Sequence, residues 1–290
     1  MSKFIILTDS CIDLPNDLAN KMDLKVIPLS FFINEKEYKN YLDERELSFT
    51  SFYETLENNT VSTAQLTPYD YEQYMETYLK EGYDILNIVF SSALSGTYNS
   101  SLIATEELQK KYQDRKIYNV DSKSASMGQG LLVTYAYELK QSGRTIDEIY
   151  NWLELNKLKF IHLFTVGNLN HLKRGGRLTS TQALLGNILK IKPVLYVNNK
   201  GQLIQKYNKR GRKKAILSMI DEMEETIINS KEQIIYISHG NCIDDALWLK
   251  EKILERIKVK EVIINFIGPV IGTHSGPNTL ALFYFGKSRE

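Results

Sequence analysis

Short apolar runs alternate with amphipathic stretches through the first half of the chain. "FIIL" (Phe4 to Leu7), "KVIPLSFFI" (Lys25 to Ile33), "DILNIVF" (Asp84 to Phe90) and "KIYNV" (Lys116 to Val120) are brief, β-branched and bounded by turn residues, which predicts strands. Strands separated by helix-length segments are the rhythm of a parallel sheet. Thr67, Pro68 and Asp70 read as an N-cap, a first-turn proline and an acid, opening a helix through "YEQYMETYLK" that Gly82 ends. Thr145 with Glu148 is a capping box before "IYNWLELNKL".

After "FIHLFTV" (Phe160 to Val166) the pattern changes to a glycine-rich basic turn, a hairpin "PVLYVNNKGQLIQKY" turning at Asn199, Lys200 and Gly201, and a final aromatic strand "LALFYF". Helices from Arg212 to about Ser230 and from Asp244 to about Ile257 are expected to cover one face of this second sheet. With 290 residues the chain exceeds a usual single core. The expected architecture is α/β in two domains: residues 1–165 as an N-terminal parallel-sheet domain and 166–290 as a C-terminal α/β domain with a largely antiparallel sheet, a ligand lying between them.

Composition narrows the function. Hydrophobic residues make up 43% of the chain, and 36 basic side chains nearly cancel 35 acidic ones, for a net charge of +1. Such a balance supplies no long-range field for a polyanion, so nucleic acid is not an expected partner. The two cysteines, Cys11 and Cys242, form no Cys-x-x-Cys metal pair, and the expected compartment is the reducing cytoplasm. No stretch approaches about 18 uninterrupted apolar residues, so no transmembrane segment is expected. The P-loop, dinucleotide, zincin and nucleophile-elbow motifs are all missing.

The chemistry therefore has to come from hydroxyl-rich turns. "VFSSALSGTYNSS" (Val89 to Ser101) reads as strand, loop and helix, with Ser95 or Thr97 near the N-cap. Such a junction aims free backbone N–H groups and the positive end of a helix dipole at one spot, which suits a small anion. The same serines would also serve simply as helix caps. "TVSTAQLTP" (Thr60 to Pro68) adds Thr63 and Gln65 as donors in a turn before a helix. "GTHSGPN" (Gly272 to Asn278) places His274 in a Gly/Pro turn between apolar strands, whereas His162, His171 and His239 read as structural. Two basic turns, "HLKRGGRLT" and "NKRGRKKA", carry Lys173, Arg174, Arg177, Arg210 and Arg212, and would form one positive patch if they met.

Together "TDSCIDLP", "STAQ", "SSALSGTY", "RGGRL", "IKPVL" and "THSGPN" run along the whole chain in an order that resembles the DegV family of bacterial fatty-acid-binding proteins, which includes the binding subunit of the two-component fatty-acid kinase. The resemblance implies a long-chain fatty acid buried between the domains, its carboxylate held by Thr63, Ser95 and His274, with Gln65, Gly96 and Thr97 as additional head-group contacts. It implies a binding subunit that is not itself an enzyme and needs no cofactor. An ATP-binding kinase subunit would phosphorylate the presented carboxylate, and Arg174, Arg177 and Arg210 would neutralise the acyl-phosphate or dock that partner. Transient contact with a membrane surface is a further expectation. Residues lining the tail would come from Ser126 to Val133 and Thr165 to Leu169. Two positions depart from the family pattern, Ala64 where serine is usual and Asn278 where glycine is common. Asparagine tolerates the positive φ such a turn needs.

Two other functions use the same residues. Ser95 as nucleophile with His274 as base would make a self-sufficient acyl hydrolase or transferase. A pocket without a kinase partner would make a lipid transport or sensing module.

Overall fold

The computed structural model describes residues 3–56, 58–178 and 191–290; Thr179, at the end of the first basic turn, lies outside them. In chain order the strands are β1 (Phe4–Asp9), β2 (Lys25–Ile27), β3 (Ser30–Ile33), β4 (Lys36–Lys39), β5 (Val61–Ala64), β6 (Asp84–Val89), β7 (Ile117–Asp121), β8 (Phe160–Thr165), β9 (Ile191–Val197), β10 (Leu203–Arg210), β11 (Ile234–His239), β12 (Glu261–Phe266) and β13 (Leu280–Phe285). The helices are α1 (Asn16–Lys21), α2 (Phe49–Thr55), α3 (Pro68–Lys80), α4 (Thr97–Lys111), α5 (Met127–Gln141), α6 (Ile146–Asn156), α7 (Asn170–Arg174), α8 (Arg212–Thr226), α9 (Ile243–Arg256) and α10 (Pro269–Ser275).

They form a parallel sheet in the order β2-β1-β6-β7, a small antiparallel sheet β4-β3-β5, and a six-stranded sheet β10-β9-β8-β13-β11-β12. The six-stranded sheet is antiparallel except for the β11–β12 pair. The mixed α/β class expected from the sequence is what the chain adopts. Both capping boxes form: Thr67 with Asp70 opens α3 and Thr145 with Glu148 opens α6. Gly82 takes the left-handed φ of 83° just after α3. Asn278 holds its turn at φ 60°.

Sheet membership revises several boundaries. β8 pairs with β13 on one side and β9 on the other, so the strand counted with the first half belongs to the second sheet, which begins at Phe160 and not after residue 165. The run "KVIPLSFFI" is two strands in two sheets, because Pro28 has no N–H to give to a ladder and the chain turns there. Thr63 is in no turn: it lies on β5 opposite Phe31 of β3. α8 stops at Thr226 and not near Ser230, because Ile227 turns extended to bridge Gly286.

Each face of the six-stranded sheet is covered. Ile161, Leu163, Leu282 and Tyr284 pack against Ala215, Met219 and Leu249 of α8 and α9. The alternate residues Phe160, Phe164, Ala281 and Phe283 share a cluster with α5 and with Ile6 and Ile88 of the parallel sheet. α5 is thus wedged between the two sheets, with every residue from Met127 to Thr134 buried. Polar ties cross the same seam. Asp13 accepts from Ser126 (2.6 Å), whose hydroxyl also meets Ser238 of β11 (2.8 Å). The buried Arg289 guanidinium donates to the carbonyls of Phe160, Lys123, Asn198 and Lys157.

Candidate functional site

A cavity of about 530 Å³ opens between the sheets, within the range of sites that enclose small ligands. Its wall is mainly apolar, with Phe164, Ala281 and Phe283 from the six-stranded sheet, Leu94 and Phe90 from the serine loop, and Val270 from α10. Polar groups gather from three segments: Thr63 and Gln65 at the end of β5, Ser95 before α4, and His274 and Ser275 at the end of α10. Arg177 also lines it.

The hydroxyls and the imidazole are organised around one another. Thr63 Oγ1 lies 2.9 Å from His274 Nε2, so the hydroxyl donates to a bare nitrogen or accepts from a protonated one. His274 Nδ1 is buried without a hydrogen-bond partner among the described residues. Burial first, and then the positive Arg177, push the imidazole pKa down to about 4, so the ring is neutral at pH 7. A side chain at Gly175 would collide with His274, so the Gly-Gly turn of "RGGRL" lets the chain close over the ring. Ser95 Oγ meets Thr97 Oγ1 at 2.9 Å and accepts from the Thr97 N–H at 3.2 Å. Gly96 lets the Gln65 side chain come within contact of the backbone, where any Cβ would overlap it.

Thr63, Gln65, Ser95 and His274 therefore come to one cavity from positions up to 211 residues apart. Gly96 and Thr97 stand behind them, shaping and holding neighbours. His274 is not in a loose turn, as expected, but on the last turn of α10, which Pro269 opens. The two basic turns do meet: His171 of the first and Arg212 of the second line a second pocket together with Lys192, while the arginines are divided between it, the cavity and the surface. Arg177 lies in the cavity wall and donates to the Leu94 carbonyl at 3.0 Å. Arg174 pairs outside with His171, and Arg210 is exposed at the end of β10. Arg212 is taken by Asp245 at 2.9 Å. Of the stretches expected to line the tail, Ser126 alone does so; Phe164 and Ala125 line it from just outside them.

The arrangement does not assemble a serine hydrolase. Ser95 is bonded to Thr97, and His274 to Thr63, with no carboxylate on its other nitrogen among the described residues. A nucleophile without its base stays a weak one. Among the described residues no three His, Cys, Asp or Glu side chains are grouped to hold a metal ion, and no helix is long and apolar enough to cross a membrane. Sequence reasoning named Arg177 with Arg174 and Arg210, of which Arg177 alone lines the cavity, and overlooked His162, which lies 1% exposed in the same wall. The signal for His162 was its place in a strand where every second residue faces the cavity.

The profile of a family described as "Uncharacterised protein, DegV family" matches residues 3–287. A DegV domain-containing protein of Clostridium perfringens is 47% identical over the full length of both chains. The crystal structure of DegV from Bacillus subtilis, a fatty acid binding protein, superposes with a TM-score of 0.84 at 30% identity, covering 99% of this chain and 100% of that one. The B3 protein of the Streptococcus pneumoniae fatty acid kinase, solved with linoleic acid, shares the fold with a TM-score of 0.84 at 21% identity, over 98% of this chain and 100% of that one.

Proposed function

The chain belongs to the DegV family, and from that premise we propose that it binds a long-chain fatty acid in the cavity between its sheets and presents the carboxylate to a separate ATP-dependent kinase subunit. The observation that carries this reading is a cavity whose mainly apolar wall carries Thr63, Gln65, Ser95, His274 and Arg177. An acyl tail of roughly ten to sixteen methylenes, at about 0.8 kcal/mol each, brings on the order of 8 to 13 kcal/mol before association and ordering costs are subtracted. The tail supplies affinity, and the head group needs only orientation.

Ser95 donates its hydroxyl to that carboxylate, Gln65 adds an amide, and the Thr63–His274 pair supplies one further proton: Thr63 donates while accepting from Nε2–H, or His274 donates from Nδ1 while Thr63 donates to Nε2. Arg177 supplies the opposite charge that a half-buried carboxylate requires. In the kinase reaction a carboxylate oxygen attacks the γ-phosphorus of ATP, ADP departs, and an acyl-phosphate stays in the site. Arg177 would offset its added charge, and the exposed Arg174 and Arg210 would meet the kinase subunit. No nucleotide motif occurs in this chain, which is why the ATP site is assigned to the partner. No cofactor is invoked.

Native mass spectrometry of the purified protein, followed by lipid extraction, tests binding. A stoichiometric fatty acid supports the proposal; a protein that stays empty after incubation with varied fatty acids ends it. Phosphate transfer to bound fatty acid by a kinase subunit tests presentation. An unchanged rate in Arg210→Ala removes that residue from docking.

A further inference from the structure

The second pocket has a volume of about 470 Å³, and no described residue lines both it and the cavity. α7 contributes to each, Leu172 to the cavity and His171 to the pocket. The His171 ring lies against Gly276, where any Cβ would overlap it. Where the cavity wall is mainly apolar, this one is polar: Lys192 comes from β9, Arg212 from α8 and Asp245 from α9, with the amides of Asn168 and Asn278 beside them.

Positive charge is gathered here at a cost to the fold. Lys192 Nζ donates to the Gly167 carbonyl at 2.9 Å and has no acidic partner among the described residues. Across the β9–β10 ladder it stands directly opposite Lys209, which has none either. Like charges so placed repel. Arg212, Lys213 and Lys214 fill the first turn of α8, where the helix dipole opposes positive charge. Asp245 holds the Arg212 guanidinium at 2.9 Å and is the one acid among the described residues of the wall, so Lys192 leaves the pocket net positive. A glutamine at 192 would remove the repulsion.

We propose that this pocket binds a small water-soluble phosphate monoester, with the phosphate between Lys192 and Arg212 and a hydroxyl-bearing remainder against Asn168 and Asn278. Ammonium and guanidinium N–H groups are strong donors to phosphate oxygens. Amide side chains donate and accept as hydroxyls do. The volume is that of a small-molecule site and exceeds a bare phosphate ion. Pro277 is the one aliphatic side chain among the described residues of the wall, which leaves nothing to hold an acyl chain. The site is separate from the carboxylate cluster and does not rest on the fatty-acid reading.

Calorimetry on the whole protein with erythritol phosphate, ribose phosphate and glucose phosphate, and with inorganic phosphate and glucose for comparison, tests the proposal. At least one ester is expected to bind at one per chain and more tightly than inorganic phosphate, and glucose not at all. Lys192→Gln should weaken that ester at least about tenfold, roughly 1.4 kcal/mol, whereas Asp245→Asn should tighten it by taking an acid out of the wall. Failure of every phosphate to bind overturns the proposal, as does an affinity that Lys192→Gln leaves unchanged. Loss of binding in Arg177→Gln with none in Lys192→Gln puts the anion in the cavity and also overturns it. Capture of the protein by phosphatidic acid vesicles without binding of any soluble ester does the same. The probe series on the unaltered protein decides the matter even where a variant does not fold.

Discussion

The two faces of the six-stranded sheet are made from alternate residues of the same strands, and they are filled in opposite ways. On β8, Ile161 and Leu163 close against α8 and α9, while His162 and Phe164 look toward α5 and the cavity. On β13, Leu282 and Tyr284 face the helices, while Ala281 and Phe283 face the cavity. A strand's period of two lets neighbouring residues answer to different demands. The outer face is packed shut and sustains the fold. The inner face keeps an open volume, an alanine and an unpartnered histidine, which forgo packing energy and make room for function.

The largest expected separation of the two faces comes from Leu163→Ala. Leu163 is fully buried in the outer cluster, so the change should cost about 2–5 kcal/mol by urea unfolding, with fatty-acid affinity of the folded fraction unchanged. A comparable loss of affinity at full folding would erase the distinction. The pH dependence comes next. His162 is held well below its ordinary pKa, so the unfolded chain takes up a proton below about pH 6.5 that the folded chain refuses, and stability falls as pH is lowered. Asp13 is raised to about 8 by burial, so the folded chain keeps a proton that the unfolded chain releases near 3.8, and stability falls as pH rises between those values. Each group contributes a limiting slope of about 1.4 kcal/mol per pH unit. Below about pH 6.5 the two contributions oppose each other, so His162→Phe should remove the loss on acidification that His162 causes, and Asp13→Asn should flatten the fall between about pH 6.5 and 8, where Asp13 acts alone of the two, read from unfolding midpoints across pH. The smallest effect on stability belongs to Ala281→Leu, which puts a larger side chain into space already open. Stability should change by less than about 1.5 kcal/mol, while long-chain fatty-acid affinity falls at least about tenfold.

Much of this arrangement was legible in the sequence wherever a local rule governs. The Thr67 and Thr145 caps, the hairpin around Gly201, and the helices beginning near Arg212 and Asp244 depend on neighbouring residues, and the chain forms them. What depends on partners far along the chain was not legible. β8 looks like a continuation of the first half until β13, more than a hundred residues later, claims it. Thr63 lies in a strand only because β3 is there to pair with it. Arg177 could not be told apart from Arg174 and Arg210, since nothing local says that its turn alone folds over α10. That Thr63, Ser95 and His274 would share a cavity came from family resemblance; their spacing alone does not place them together.

Arg289 and the Ser126 hydroxyl bear on how the cavity can open. The guanidinium holds carbonyls at Lys123, from the loop after the parallel sheet, and at Phe160 and Asn198 of the other sheet, while Ser126 joins Asp13 to Ser238. Swinging the halves apart like a book would strip several buried acceptors of their donors at once, each at a cost of about 1–3 kcal/mol. The seam therefore works as a weld and not a hinge, and on the proposed fatty-acid reading a bound molecule would exchange by a small local displacement at the cavity mouth while the rest of the protein stays closed.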